Sequence, residues 1–327
     1  MTRLLCKPVC TLALLASATT AATVNAAELY PARPIRLVSP FAAGGGNDMI
    51  SRAMAQALGR NLGQGVVVDN RPGANTIIGM DLVAKSPADG YTLIMTGSTI
   101  AINAALNPRL PYDSLRDFVA VSQIAATPLI VAVHPSLPAA SIKELIALAR
   151  KRPGELNFPS AGVGNVSHLA GELFNVMAGV RLVHVPYKGS APATTDLLSG
   201  RVSVMFNSAF ALLPYVKSGR LRALAVTGRA RSALLPAVPT VMESGLSGYE
   251  AGTWYGLLAP AATPPAIINR LHAQTVRALA DEEVRRRLVE EGLDPVGSTP
   301  AEFAAYIRAE MTKWAGVIKA AGVVAEH

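Results

Sequence analysis

From residue 35 onward, short apolar runs alternate with stretches in which apolar residues recur every three or four positions. The run at 35–39 predicts a strand. Met49, Ile50, Ala53, Met54, Ala57 and Leu58 then fall on one face of a helix over 48–58. A strand at 66–69, a turn at Asn70-Arg71-Pro72-Gly73, a helix at 76–85 and a strand at 92–96 complete a first set. A second set opens with a strand at 129–133 and a helix at 141–150, where Ser141 followed by Glu144 reads as a capping box. Strands at 157–160, 183–186, 202–206 and 223–226 follow, with helices at 169–177, 191–198 and 210–218 between them. A strand at 254–259 precedes three helices, at 265–280, 281–291 and 300–320.

Strand–helix alternation of this kind predicts an α/β protein with largely parallel sheets. Two sets followed by one strand and three helices predict two lobes, the last segment returning to complete the first. The expected division is 27–126 with 254–327 as one lobe and 127–253 as the other. Crossovers near 123–128 and 252–255 are then expected to form the hinge.

The start of the chain changes the compartment. Arg3 and Lys7 precede a short apolar stretch at 12–18, and Val24-Asn25-Ala26 offers small residues to a signal peptidase. This predicts a secretory signal at 1–26, removed after about Ala26, and a protein of the periplasm. Both cysteines, Cys6 and Cys10, lie in that segment, so the exported chain is expected to hold no disulfide and no thiolate metal site. The formal charge of +8 suits anionic ligands only weakly. Its densest run, Arg285-Arg286-Arg287, is flanked by acids and has no aromatics interleaved, which predicts a solvated helix face and no nucleic-acid contact.

Two strand–helix junctions carry candidate chemistry. The first is Ser39-Pro40-Phe41-Ala42-Ala43-Gly44-Gly45-Gly46-Asn47-Asp48. Glycines admit a ligand close to the backbone, and a helix start offers N–H groups without internal acceptors, which together make an anion site. Asn47 or Asp48 is expected to cap the helix. Neither a dinucleotide fingerprint nor a Walker sequence is present. The second junction, Phe158-Pro159-Ser160-Ala161-Gly162-Val163-Gly164-Asn165-Val166-Ser167-His168, repeats the pattern. If each lobe contributes one, a ligand with acidic groups is gripped from both sides. Tyr187 and Lys188, after a strand in Val185-Pro186-Tyr187-Lys188-Gly189, are further candidates.

In order along the chain, residues 40–52, Asn70-Arg71-Pro72-Gly73-Ala74, Ala88-Asp89-Gly90-Tyr91-Thr92-Leu93, Ser160-Ala161-Gly162, His168-Leu169-Ala170-Gly171-Glu172, Pro186-Tyr187-Lys188-Gly189, residues 222–227, Pro239-Thr240-Val241 and Trp254 with residues 256–260 resemble one family. It is the Bug-type family of extracytoplasmic solute receptors, the binding components of tripartite tricarboxylate transporters. The resemblance implies a type II Venus-flytrap periplasmic binding fold and a small carboxylated ligand in the interlobe cleft. The ligand is then a dicarboxylate, a tricarboxylate, an acidic amino acid or an aromatic acid. It also implies membrane transporter subunits as partners, a monomer and no cofactor. The expected ligand-binding residues are Phe41, Ala42, Gly44, Gly45, Asn47, Asp48, Ser98, Ser160, Ala161, Gly162, Gly164, Asn165, Ser167, Tyr187, Lys188 and Asn207. The chain departs from the family at Ser203 and Asn207, where Asp is common, and at Asn47, where Thr is common. Loss of acids near a cleft fits a ligand without an amino group.

Rival readings are weaker. The five histidines have no zinc-ligand spacing, and no nucleophile elbow is present, so neither a metal nor a catalytic set is expected. The same binder presenting its ligand to a membrane sensor has the same sequence signature, and a hydrolase is the least supported alternative.

Overall fold

The computed structural model describes residues 30–324. The expected signal segment and both cysteines lie outside them. The described chain opens with β1 (Ile35–Ser39), α1 (Gly46–Leu62), β2 (Val66–Asn70), α2 (Ile77–Ala84), β3 (Thr92–Gly97) and α3 (Thr99–Leu106). β1 pairs in parallel with both β2 and β3. Then comes β4 (Phe118–Val133), much longer than the expected strand at 129–133.

The second lobe follows as α4 (Ile142–Lys151), β5 (Asn157–Ser160), α5 (Val166–Ala178), β6 (Val183–Pro186), α6 (Ser190–Leu198), β7 (Val204–Ser208), α7 (Ala209–Lys217) and β8 (Arg222–Val226). The chain returns through β9 (Gly252–Pro260) and ends in α8 (Pro265–Ala280), α9 (Glu282–Glu290), β10 (Asp294–Pro295) and α10 (Pro300–Ala321).

β4 holds the two lobes together by changing partners. Its first part pairs antiparallel with β9, from Phe118 opposite Pro260 to Pro128 opposite Gly252. From Leu129 to Val133 it pairs with β7 and β8 instead. The switch falls at Pro128, which has no N–H to give a continuing ladder. The sheets are therefore more mixed than the sequence suggests. β1–β2, β1–β3 and β5–β6 are parallel, while β4 and β9 run antiparallel to their neighbours. The reason is topological: β4 leaves the first lobe and β9 comes back through the same gap. The main sheet has the order β10-β4-β9-β3-β1-β2.

The core divides into separate clusters on either side of this crossing. Val38, Ile94, Leu258, Phe303 and Ile307 pack under the first sheet. Phe158, Leu169, Phe174 and Phe206 fill the second lobe, together with Trp314, Val317 and Ile318 from the far end of α10. Each such side chain contributes about 1.5–3 kcal/mol of burial. Midway along α10, buried Glu310 accepts from the indole N–H groups of Trp254 (3.2 Å) and Trp314 (3.0 Å), and Lys313 closes on it as an ion pair.

Two caps differ from the expected pattern. Ser141 accepts from the Glu144 N–H at 3.2 Å, but Glu144 reaches back to the Ala140 N–H, so the box is not reciprocal. The full capping box is Thr299 with Glu302, at the start of α10.

Candidate functional site

The junction between β1 and α1 is locked by its own side chains. Asn47 Oδ1 accepts from Ser39 Oγ at 2.8 Å and from Ser51 Oγ at 3.3 Å, and Asn47 Nδ2 donates to the Met95 carbonyl at 3.0 Å. Asp48 accepts from the Gly44 N–H (2.9 Å), Arg52 Nε (3.0 Å) and Asn70 Nδ2 (2.9 Å). The hydrogen bond from Arg52 leads the effects that hold the Asp48 carboxyl at about 2. Neither residue is the cap, in contrast to the sequence expectation. The N-cap is Gly45, which has no side chain to cap with. The first backbone bond runs from Met49 N–H to the Gly45 carbonyl, so the N–H groups of Gly46, Asn47 and Asp48 have no intrahelical acceptor. Gly44 sits at φ 84°, the left-handed region that suits glycine, and this turns its N–H toward Asp48.

The second junction is built the same way. Asn165 caps α5, accepting from the Ser167 N–H at 3.0 Å. Ser167 Oγ accepts from the Ala161 N–H at 3.1 Å. Ser160, fully buried, lies 2.6 Å from His184 Nε2 and accepts from the Gly162 N–H at 3.1 Å. The Gly164 N–H donates to His168 Nδ1 at 3.2 Å. The rings of His168 and His184 stack at 3.6 Å between centroids. Burial first, and the neighbouring His168 second, push the His184 ring down to about 4.

Between the two junctions lies a cavity of about 310 Å³. Five helices begin at its wall: α1 at Gly46, α3 at Thr99, α5 at Val166, α6 at Ser190 and α7 just after Ser208. None of the described residues that line it carries a formal charge. Its positive potential therefore comes from helix starts, each equivalent to roughly half an elementary charge. Asn207 supplies the sharpest polar feature. Its Oδ1 accepts from the Ser208 N–H at 2.9 Å, while its Nδ2 is buried with no hydrogen-bond partner among the described residues. A buried donor without an acceptor costs about 1–3 kcal/mol, so an acceptor in this cavity relieves it.

Of the sixteen residues expected at the site, Phe41, Gly45, Asn47, Ser98, Asn165 and Asn207 line the cavity. The others are not on its wall, for local reasons. Asp48 is tied to Arg52 and Asn70, and Gly44 to Asp48; Ala42 is exposed and also lies off the wall. Ser160, Ala161, Gly162, Gly164 and Ser167 form the scaffold that shapes the second loop. The Tyr187 hydroxyl donates to Asp196 at 2.7 Å, and Lys188 is exposed. Sequence reasoning missed Thr99, Ser190, Ser208, Thr253 and Tyr255. The first three obey the rule that singled out the two loops, a small polar residue where a strand hands over to a helix. Tyr255 is half-buried, desolvation pushes its phenol up to about 12, and a Cβ on Gly46 would sit 3.2 Å from its hydroxyl.

A second cavity of about 580 Å³ shares Gly46, Ser190, Ser208 and Tyr255 with the first. No group of three or more His, Cys, Asp or Glu side chains suited to a metal ion occurs among the described residues. No described helix is long and apolar enough to cross a membrane.

Residues 50–323 match the family described as the tripartite tricarboxylate transporter family receptor. Protein BugT of Bordetella pertussis (strain Tohama I) is 41% identical over 310 residues, 94% of this chain and 95% of that protein. Among solved structures, R. palustris Rpa4515 with adipate is 38% identical at a TM-score of 0.79, covering 90% of this chain and 99% of that one. MatC from Rhodopseudomonas palustris with bound malate is 31% identical at a TM-score of 0.75, covering 88% and 100%.

Proposed function

The chain belongs to the tripartite tricarboxylate transporter receptor family of extracytoplasmic solute-binding proteins, and from that premise we propose that its charge-free cavity captures a small carboxylate. The observation that carries this is Asn207. Its amide nitrogen is a buried donor without an acceptor among the described residues, set in a wall of helix starts that favours negative charge. Bound adipate and malate in two relatives support the same ligand class.

The finer assignments extend this reading. Phe41, Gly45, Gly46, Asn47, Ser98, Thr99, Asn165, Ser190, Asn207 and Ser208 present the binding groups, and the remaining loop residues hold them in place. Residues 27–126 with 254–327 form one lobe and 127–253 the other. The protein works as a monomer in the periplasm, after loss of residues 1–26, and hands its ligand to the membrane subunits of a tripartite transporter. It returns the ligand chemically unchanged. The Ser160–His184 pair resembles a nucleophile and its base, but Ser160 is fully buried and off the cavity wall. N-terminal sequencing of exported protein is expected to begin at Ala27; a start at Met1 contradicts removal of the signal.

The direct test is Asn207→Ala, titrated by calorimetry with the tightest acid of a small panel. Loss of a hydrogen bond to a charged group predicts roughly ten- to a hundredfold weaker binding. The melting temperature of the ligand-free protein should change little, because removing an unpaired buried donor offsets the lost bond from the Ser208 N–H. Unchanged affinity contradicts the assignment.

A further inference from the structure

The second cavity is chemically unlike the first. Met49, Ala191, Phe210, Ala211, Pro214 and Leu293 give it apolar walls. Phe210 is 68% exposed and is the one aromatic ring among the strongly exposed large hydrophobics of the described residues. It stands in the first turn of α7, next to the Ser208 cap that both cavities share. An exposed ring at the edge of a binding cleft has apolar surface left to bury.

The electrostatics also change along the cleft. The starts of α1, α6 and α7 edge both cavities, but those of α3 and α5 line only the first, and Glu291 is the one charged side chain among the described residues lining the second. Glu291 is the C-cap of α9, so it sits at the negative end of that helix. Two arginines of the same helix are engaged elsewhere: Arg286 pairs with Glu290 and Arg287 with Glu283. An acid reaching in from the first cavity therefore meets apolar walls and then a negative pole.

We propose that the second cavity seats an uncharged apolar body, aromatic or aliphatic, attached to the captured carboxylate. The receptor then takes monocarboxylates and discriminates against acids that carry a second carboxylate at the far end. This rests on carboxylate capture in the first cavity. Glu291 is the specificity-determining residue, disfavouring a distal anion by like charge, and Phe210 covers the apolar body.

The test uses two probe pairs that differ only at the far end, hexanoate against adipate and 4-methylbenzoate against terephthalate. Each is titrated calorimetrically into the purified protein and into Glu291→Gln and Phe210→Ala. The monoacid of each pair should bind at least about tenfold tighter. Glu291→Gln should narrow that ratio by strengthening the diacid. Phe210→Ala should weaken both monoacids severalfold and leave acetate unchanged. Diacids that bind as tightly as monoacids, a ratio unmoved by Glu291→Gln, or monoacids indifferent to Phe210→Ala overturn the proposal. If no probe binds at all, carboxylate capture itself fails, an outcome distinct from a wrong preference.

Discussion

Single side chains at the two loops divide into those that present groups to the cavity and those that hold the loops. Asn47 and Asp48 illustrate why sequence separates these poorly. Both residue types suit a helix cap and both sit beside glycines, yet Asn47 bonds β1 and β3 while Asp48 bonds Arg52 and Asn70. Those partners are up to 48 positions away in sequence, so a local pattern does not contain them. Asn207 was legible as a departure from a common acid, but only the fold leaves its nitrogen unpaired. His184 gives a prediction at the same scale. Its ring is held neutral, down to about 4 from an ordinary 6.5. The unfolded chain binds this proton below about 6.5 and the folded one only near 4, so falling pH favours unfolding across that window. The contribution is fully present above about 6.5 and lost by about 4. His184→Gln should flatten that part of a plot of melting temperature against pH; an unchanged slope contradicts the assignment.

Most elements were legible, and the exceptions share a cause. α3 (Thr99–Leu106) contains the run Ile-Ala-Ile-Asn-Ala-Ala-Leu, with residues 100–103 all buried, so no polar face marks a helical period. The first part of β4 lost its alternation because it is buried on both faces and shifts register between Ala120 and Ser122 and between Gln123 and Ala125. α10 was legible as a helix but not as a brace between two cores, since Glu310 finds Trp254 only across the fold. Replacing Glu310 by Ala leaves two buried indole N–H groups and the Lys313 ammonium without their acceptor. The expected cost is about 3–5 kcal/mol, as for breaking a buried pair. Urea unfolding checks this; a loss within the range of a surface substitution, about 0.5 kcal/mol, would remove Glu310 from the account.

At the scale of the whole molecule, strand–helix alternation yields one physical consequence. Helices that follow strands in both lobes point their starts at the shared gap, and five of them line one cavity. The two-lobed α/β class was readable from the order of elements. The convergence was not, because it depends on β4 and β9 crossing between lobes at Pro128 and Gly252. A wall of helix starts without a formal charge distinguishes an anion from its neutral isostere by charge alone. Thermal unfolding of the purified protein with a panel of carboxylic acids and their matching primary amides tests this most directly. At least one acid should raise the melting temperature, adding about 2.7 kcal/mol at a hundred times its dissociation constant, while its amide leaves the transition in place. A panel in which no acid shifts the transition, or in which amides match their acids, contradicts the account.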